Sequence, residues 1–275
     1  MTNSPHQSAG WQVEQSASEA YEQYLVPPMF APWADRLIET SDVREGDRVL
    51  DVACGTGIVA RRVASRVSES GSVVGVDVNE GMLAVAAATT ADSHPSVEWR
   101  RGDATDLPFS DERFDVVCCQ QALQFVDDPV AAVRQMHRVL VPGGRMTSSV
   151  WRPLEFQPAY VALADALADH VGDEAGKMMR SPFPDWDGSD LRTLVQDAGF
   201  DDVSVTVEIG SVRYPSVEEF VRREAASSPL AEPITALESG VRDELVREVE
   251  DALATYRDDD GIVSPMESYV VVADR

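Results

Sequence analysis

The chain has 275 residues, 44% of them apolar, enough for one large α/β domain or one domain with an insertion. It carries 48 acidic against 23 basic side chains, a formal charge of −25 with Lys177 as the only lysine, and such an excess disfavours nucleic acid as a partner. No apolar run approaches a membrane span, and three cysteines (Cys54, Cys118, Cys119) give neither a disulfide framework nor metal spacing, so the expected setting is a reducing cytoplasm.

Residues 1 to about 15 are polar and read as loose. Residues 17–40 read as helix with a break at Pro27-Pro28, carrying Tyr21, Tyr24, Phe30 and Trp33. That aromatic set either packs an N-terminal helix on a sheet or forms a flap over a ligand. Strands are expected near 48–52, 73–77, 97–101, 114–119 and 144–150, with helices between them, an alternation that builds a parallel sheet covered on both faces. The helix over 58–67 keeps Val59, Val63 and Val67 on one face. Asp128 followed by Pro129 opens a helix over 129–140, and Gly143-Gly144 lie just past its end. Adjacent Cys118 and Cys119 should point to opposite faces of their strand. Beyond Trp151 a helix is expected over 156–171, a loop at Met178–Pro184, and a helix over 189–198. A strand near 203–207 follows, then a capping box at Ser216–Glu219. A helix over 241–256 with Val241, Leu245, Val249 and Leu253 inward and a last strand over 269–273 complete the chain. The Asp258-Asp259-Asp260 run reads as a solvated loop.

The most informative run is Val49-Leu50-Asp51-Val52-Ala53-Cys54-Gly55-Thr56-Gly57, a strand that breaks into a glycine turn and opens a helix. Gly55 to Ala60 satisfies G-x-G-x-x-G/A, the dinucleotide fingerprint. Asp51 argues the other way, because a pyrophosphate would sit on the helix N-terminus beside a repelling carboxylate. A ligand with an ammonium group and no phosphate suits the corner better, and S-adenosylmethionine is one. Asp77 ends the second strand at the interval expected of a ribose-binding acid, and Asp103, after the third, is placed to reach an adenine amino group.

Five ordered segments carry a resemblance: Asp51–Gly57, Gly75-Val76-Asp77 with Met82-Leu83, Gly102-Asp103-Ala104 with Leu107-Pro108-Phe109, Val139 to Gly144, and the Tyr21 to Trp33 lead-in. Over residues 45–150 the chain resembles class I methyltransferases, in the small-molecule branch with the ubiquinone and menaquinone biosynthesis enzymes. The resemblance implies a Rossmann-like, doubly wound sheet of about seven strands, its last strand inserted antiparallel, with a helical N-terminal flap and helical lid insertions. It divides the chain into a tail and flap (1–40), a cofactor-binding core (41–151), and the rest of the sheet with the lid (152–275). It implies S-adenosyl-L-methionine as cofactor, held by Asp51, Ala53, Gly55, Thr56, Gly57, Asp77, Val78, Met82, Gly102, Asp103, Ala104, Gln120 and Tyr21.

The end of the fourth strand, Cys119 to Phe125, should face the methyl group, so Gln121, Phe125 and Trp151 are candidate substrate contacts. No Asn/Asp-Pro-Pro-aromatic run stands there to hold a flipped base. The lid's Phe156, Tyr160, Met178, Met179, Phe183 and Trp186 favour a small apolar or aromatic acceptor, with O- or C-methylation ahead of N-methylation. A base is needed only where the acceptor must lose a proton. Of four histidines, His6 reads as tail, His94 as surface loop, His137 as core or surface, and only His170 as a candidate base. No metal cluster is expected. Rival readings are a silent S-adenosylmethionine-binding module and an NAD-dependent oxidoreductase. The acidic, lysine-poor composition reads as adaptation to a salt-loaded cytoplasm, where a Debye length near ~3 Å at 1 M salt screens self-repulsion. Oligomeric state is left open.

Overall fold

A computed structural model describes residues 15–90, 96–228 and 230–275. The reading of residues 1–14 as loose, with His6, and the loop placement of His94 fall outside the described residues. The sheet contains β1 (Arg48–Val52), β2 (Ser72–Asp77), β3 (Val97–Arg101), β4 (Phe114–Gln120), β5 (Leu140–Trp151), β6 (Asp202–Tyr214), the two-residue β7 (Arg257–Asp258) and β8 (Gly261–Asp274). Its order is β3-β2-β1-β4-β5-β8-β6, with β7 paired to β8. β1 to β5 are parallel, and β8 runs antiparallel between β5 and β6. The chain winds outward from β1 to β3, then returns to β4 and winds the other way. That reversal opens a crevice at the carboxyl ends of β1 and β4, where open α/β sheets take ligands.

Both faces are covered, which is why β1 reads as a nearly unbroken apolar run with Val49, Leu50 and Val52 fully buried. One face receives α2 (Ala31–Ser41) and α3 (Ile58–Val67) through Leu37, Ile38, Val59 and Val63. The other receives α5 (Pro129–Val139) and α8 (Gly188–Asp197) through Val133, Met136, Leu191 and Val195. Cys118 packs into the first of these cores and Cys119 into the second, as strand alternation requires. α5 starts as read, with Asp128 Oδ1 accepting from the Ala131 N–H at 2.9 Å. α1 (Gln15–Tyr24) and α4 (Glu80–Thr90) pack on each other beside β3. A third core lies within α6 (Pro158–His170), α7 (Asp173–Arg180), α9 (Val217–Ala226), α10 (Ala231–Thr235) and α11 (Ser239–Ala252), built on Leu163, Phe220, Leu245 and Val249.

Several local expectations are corrected. Met178, Met179 and Arg180 close α7 instead of opening a loop. Asp173 and Glu174 in its first turn and Lys177 and Arg180 in its last complement the helix dipole, and Pro182 and Pro184 act only after the helix has ended. β6 and β8 are far longer than 203–207 and 269–273, pairing without a break from Asp202↔Asp274 to Tyr214↔Ile262, through Gly210 and Pro265, which read locally as breaks. β5 already begins at Leu140, so Gly143 (φ +80°) lies inside the strand, its N–H donating to the Arg275 carbonyl at 2.7 Å. Ser216 Oγ accepts from the Glu219 N–H at 3.1 Å, but the Glu219 carboxylate turns to Arg222 and Arg223 and leaves the capping box half made. The Asp258-Asp259-Asp260 run is solvent-exposed as expected, though Asp258 stands in the two-residue β7 and pairs with Arg213 at 2.6 Å.

Candidate active site

A cavity of about 760 Å³ opens where β1, β2 and β4 end. Tyr21, Ala53, Gly55, Asp77, Val78, Met82, Gly102, Asp103, Ala104, Gln120, Gln121, Phe125 and Trp151 all belong to its wall. Asp51, Thr56, Gly57 and His170 do not.

Asp51 is only 1% exposed, and its Oδ2 accepts from the Ala60 N–H at 3.0 Å. Ala60 stands in the first turn of α3, so the acid that ends β1 caps the following helix from outside it. Burial pushes this carboxyl up to about 8, with Asp77 adding to the rise. A pyrophosphate is thus disfavoured less by charge than by occupancy, because the chain's own carboxyl already holds a donor of that helix end.

The two turn glycines do different work. Gly55 has φ +54° and open space where a Cβ would stand, so the backbone itself forms wall there. Gly57 has φ +84°, and a Cβ would lie 2.1 Å from the Trp99 ring, so this glycine serves packing. Asp77, at the end of β2, accepts from the Gly55 N–H through Oδ2 at 2.8 Å and from the Asn79 N–H through Oδ1 at 2.8 Å. The carboxylate therefore organises the turn as well as facing the cavity. Burial moves it above the usual carboxylate range, while those backbone donors pull it back. Asp103, exposed at the rim, accepts from both the N–H and the hydroxyl of Thr105, at 2.8 and 2.7 Å.

At the end of β4, Gln120 donates through Nε2 to the Phe30 carbonyl at 3.0 Å, tying the sheet to the N-terminal cover. Gln121 holds a left-handed φ of +50° and donates to Ser268 Oγ at 2.9 Å. The Oε1 atoms of both glutamines are buried with no partner. Unpaired buried acceptors carry a desolvation cost of about 1–3 kcal/mol. Two of them in one cavity wall, next to a strained backbone, mark a place built to receive a donor.

The N-terminal aromatics divide. Tyr21 and Phe30, ring centroids 4.9 Å apart, form wall, and Trp33 packs edge-on against Trp151 at 5.5 Å. Tyr24 lies under the Arg222 guanidinium. Between α1 and α2 the Pro27-Pro28 break is one π-helical turn, Val26–Phe30, and the Arg61–Glu22 pair at 2.7 Å ties α1 to α3. An apolar set, Phe125, Trp151, Tyr160, Met179, Phe183 and Met266, also lines the cavity. Of the expected lid residues, Phe156 instead lies under Arg152 and Trp186 packs on the sheet. His170, at the end of α6, is bonded through Nε2 to Glu248 on α11 at 2.8 Å, away from the wall, so the sole histidine candidate for a base does not reach the site.

Glu224 is the residue that sequence reasoning missed. It is 6% exposed on α9, belongs to the cavity wall, and accepts on Oε1 from the hydroxyls of Tyr160 at 2.7 Å and Tyr214 at 3.1 Å. Burial pushes it up to about 7, against the pull of the two phenols. A signal did exist: Val217, Phe220, Val221 and Ala225 define the apolar stripe of α9, and Glu224 stands inside it at helical spacing.

Residues 49–144 match the methyltransferase-domain family. A demethylmenaquinone methyltransferase of Staphylococcus saprophyticus is 33% identical over 191 residues, 66% of this chain and 81% of that protein. A ubiquinone/menaquinone biosynthesis C-methyltransferase of Ectopseudomonas mendocina is 36% identical over 184 residues, 62% of this chain and 72% of that protein. Solved structures agree in fold. A phosphoethanolamine N-methyltransferase of Haemonchus contortus has a TM-score of 0.60 at 18% identity, covering 95% of this chain and 58% of that one. An S-adenosylmethionine-dependent methyltransferase of Aquifex aeolicus has 0.51 at 18%, covering 71% and 92%. The chain belongs to the class I S-adenosylmethionine-dependent methyltransferases, in the group that holds the quinone-biosynthesis enzymes. It is an enzyme of that kind, with S-adenosylmethionine as cofactor, and the oxidoreductase and silent-binder readings fall.

Proposed function

We propose that the enzyme transfers a methyl group to a small hydroxylated aromatic acceptor of the quinol class, at a ring carbon. One observation carries the reading: a single cavity is lined both by the Asp77 carboxylate and by an aromatic set that holds a buried carboxyl, Glu224. The names of the Staphylococcus and Ectopseudomonas relatives favour carbon as the methylated atom. When bound, the cofactor supplies an electrophilic methyl on a sulfonium. Asp77 accepts from the ribose hydroxyls, the open backbone at Gly55 lets the ligand approach, and Asp103 faces the adenine amino group. Gln121, Phe125 and Trp151 position the acceptor, and the shared cavity brings it close to the methyl carbon, where alignment can supply much of the acceleration. Residues 41–151 act as the cofactor-binding core, with 1–40 as flap and the excursions within 152–275 as lid. None of the described helices is long and apolar enough to cross a membrane; a cytoplasmic enzyme adapted to salt agrees with the cysteines and the charge.

The test is calorimetric titration with S-adenosylmethionine, S-adenosylhomocysteine and NADH. Turnover of anaerobic 1,4-naphthohydroquinone follows, with mass-spectrometric placement of the label. Binding of the first two ligands and a ring-methylated product is the expected result. An ether product would move the reading to O-methylation, and no product would remove the acceptor class.

A further inference from the structure

Among the described residues no histidine lines the site, yet a phenolic acceptor must shed a proton as it attacks. The geometry points to Glu224 as the catalytic base, taking the acceptor's hydroxyl proton on Oε2 while Tyr160 and Tyr214 hold Oε1. This rests on the quinol-class acceptor of the proposed function. Three observations converge on it. Glu224 lines the cavity bonded to an aromatic wall residue, Tyr160, on the apolar face of α9 and almost wholly buried. Both phenols are spent on one carboxyl oxygen, at 2.7 and 3.1 Å, and Oε2 takes no hydrogen bond from any described residue. Tyr160 is itself cavity wall, so the pair Glu224–Tyr160 faces whatever binds there. A buried glutamate that served packing alone would cost several kcal/mol and would be better replaced by an apolar residue.

The charges around it leave it free to act. From α6 and β6 come the two neutral phenols. Its chain neighbour Arg223 is turned to Glu219, with its guanidinium 5.9 Å from the Tyr214 ring centroid. From α1, Glu22 is paired with Arg61, and on α11, Glu248 is paired with His170. Burial sets the proton affinity of Glu224 near neutrality, the range in which a general base works best. In the step, the acceptor O–H bond breaks and its proton passes to Oε2. The electron pair so released, conjugated through the ring, forms the new bond from ring carbon to methyl. The methyl–sulfur pair stays on sulfur, leaving a neutral thioether. Loss of the ring proton to solvent restores aromaticity as the Oε2 proton returns to the acceptor oxygen, so one proton is released overall and the Glu224 carboxylate is regenerated.

Glu224→Gln keeps the size of the side chain and an oxygen for both phenols. It should bind S-adenosylhomocysteine as the wild type does, lose about 10²–10⁴-fold in kcat on 1,4-naphthohydroquinone, and lose the rise of kcat with pH around 7. Tyr214→Phe removes one donor to the carboxylate from a position outside the cavity wall, so the same rise should move to higher pH, which a merely structural tyrosine would not cause. An infrared pH titration of the substrate-free protein, wild type minus Glu224→Gln, should show a protonated carboxyl band vanishing between about pH 6 and 8. Unchanged kcat and pH profile in Glu224→Gln, or a carboxyl charged across that whole range, overturns Glu224 as the base. Wild-type enzyme that binds cofactor but methylates no hydroxylated ring instead overturns the acceptor class, with the infrared titration unaffected.

Discussion

Asp77 shows how one carboxylate can both line a cavity and hold a turn. Its oxygens already receive the N–H groups of Gly55 and Asn79, so it stands oriented before any ligand arrives. Charged hydrogen bonds of this kind are worth about 1.5–3 kcal/mol each. Asp77→Ala should therefore weaken S-adenosylhomocysteine binding by about that much in calorimetry. It should also lower the melting temperature, because the turn at Gly55 loses its anchor. Unchanged affinity would take the ribose away from this residue. The acid was legible from its place at the end of a strand. Its double duty was not, since backbone donors leave no trace in side-chain identity. Glu224 stood in plain sight inside an apolar helical stripe, but of the two phenols that fix it Tyr160 comes from distant α6, and Tyr214 reaches it only through the turn from β6 into α9.

At the scale of elements, the glycine turn carries the clearest lesson. Gly55-x-Gly57 marks a nucleotide corner in sequence, yet only Gly55 is open to the cavity, and Gly57 makes room for Trp99, donated by β3 and itself anchored through Nε1 to Thr90 at 3.0 Å. Gly57→Ala should cost about 2–4 kcal/mol in chemical denaturation, from overpacking and a left-handed φ together. Adding Trp99→Leu should recover part of that, and strict additivity of the two changes would contradict the packing account. The parallel strands and their covering helices were readable because their periodicity is local. The lengths of β6 and β8 were not, because a strand that passes through Gly210 and Pro265 is sustained by its partner and not by its own propensities.

For the whole molecule, charge and burial set the conditions of stability. Asp51 and Glu224 keep their protons in the fold up to about 8 and about 7, while an unfolded chain would release them near ~4. Between those limits the folded state binds more protons, so stability falls as pH rises, by about 1.4 kcal/mol per pH unit for each group. Glu219 and Asp258, held at about 2 by arginines, act with the opposite sign, and their contribution is lost as pH falls below ~4. Both are only lightly buried ion pairs and count for little. The melting temperature of the cofactor-free protein should thus peak near pH ~5 and decline toward pH ~8, with Asp51→Asn flattening the decline. A melting temperature that climbs over this interval would refute the assignment. With a net charge of −25, the same measurement at neutral pH should rise as KCl is added. Indifference to salt would dismiss the halophilic reading of the composition.

The chain leaves β6 at Tyr214, returns through the two-residue β7 and enters β8 at Gly261, and the register pairs Tyr214 with Ile262, so departure and return are neighbours on adjoining strands. Gly261, whose Cβ would lie 2.2 Å from the Tyr214 carbonyl, seals that neck. Everything between, α9 with Glu224 included, is an excursion whose two ends meet at that neck and whose inner face packs on α6 and α7 through Leu163, Phe220, Leu245 and Val249. A change of length at its outer turns would leave every strand pair of the parallel half as it stands, so long as the face packed on α6 is kept.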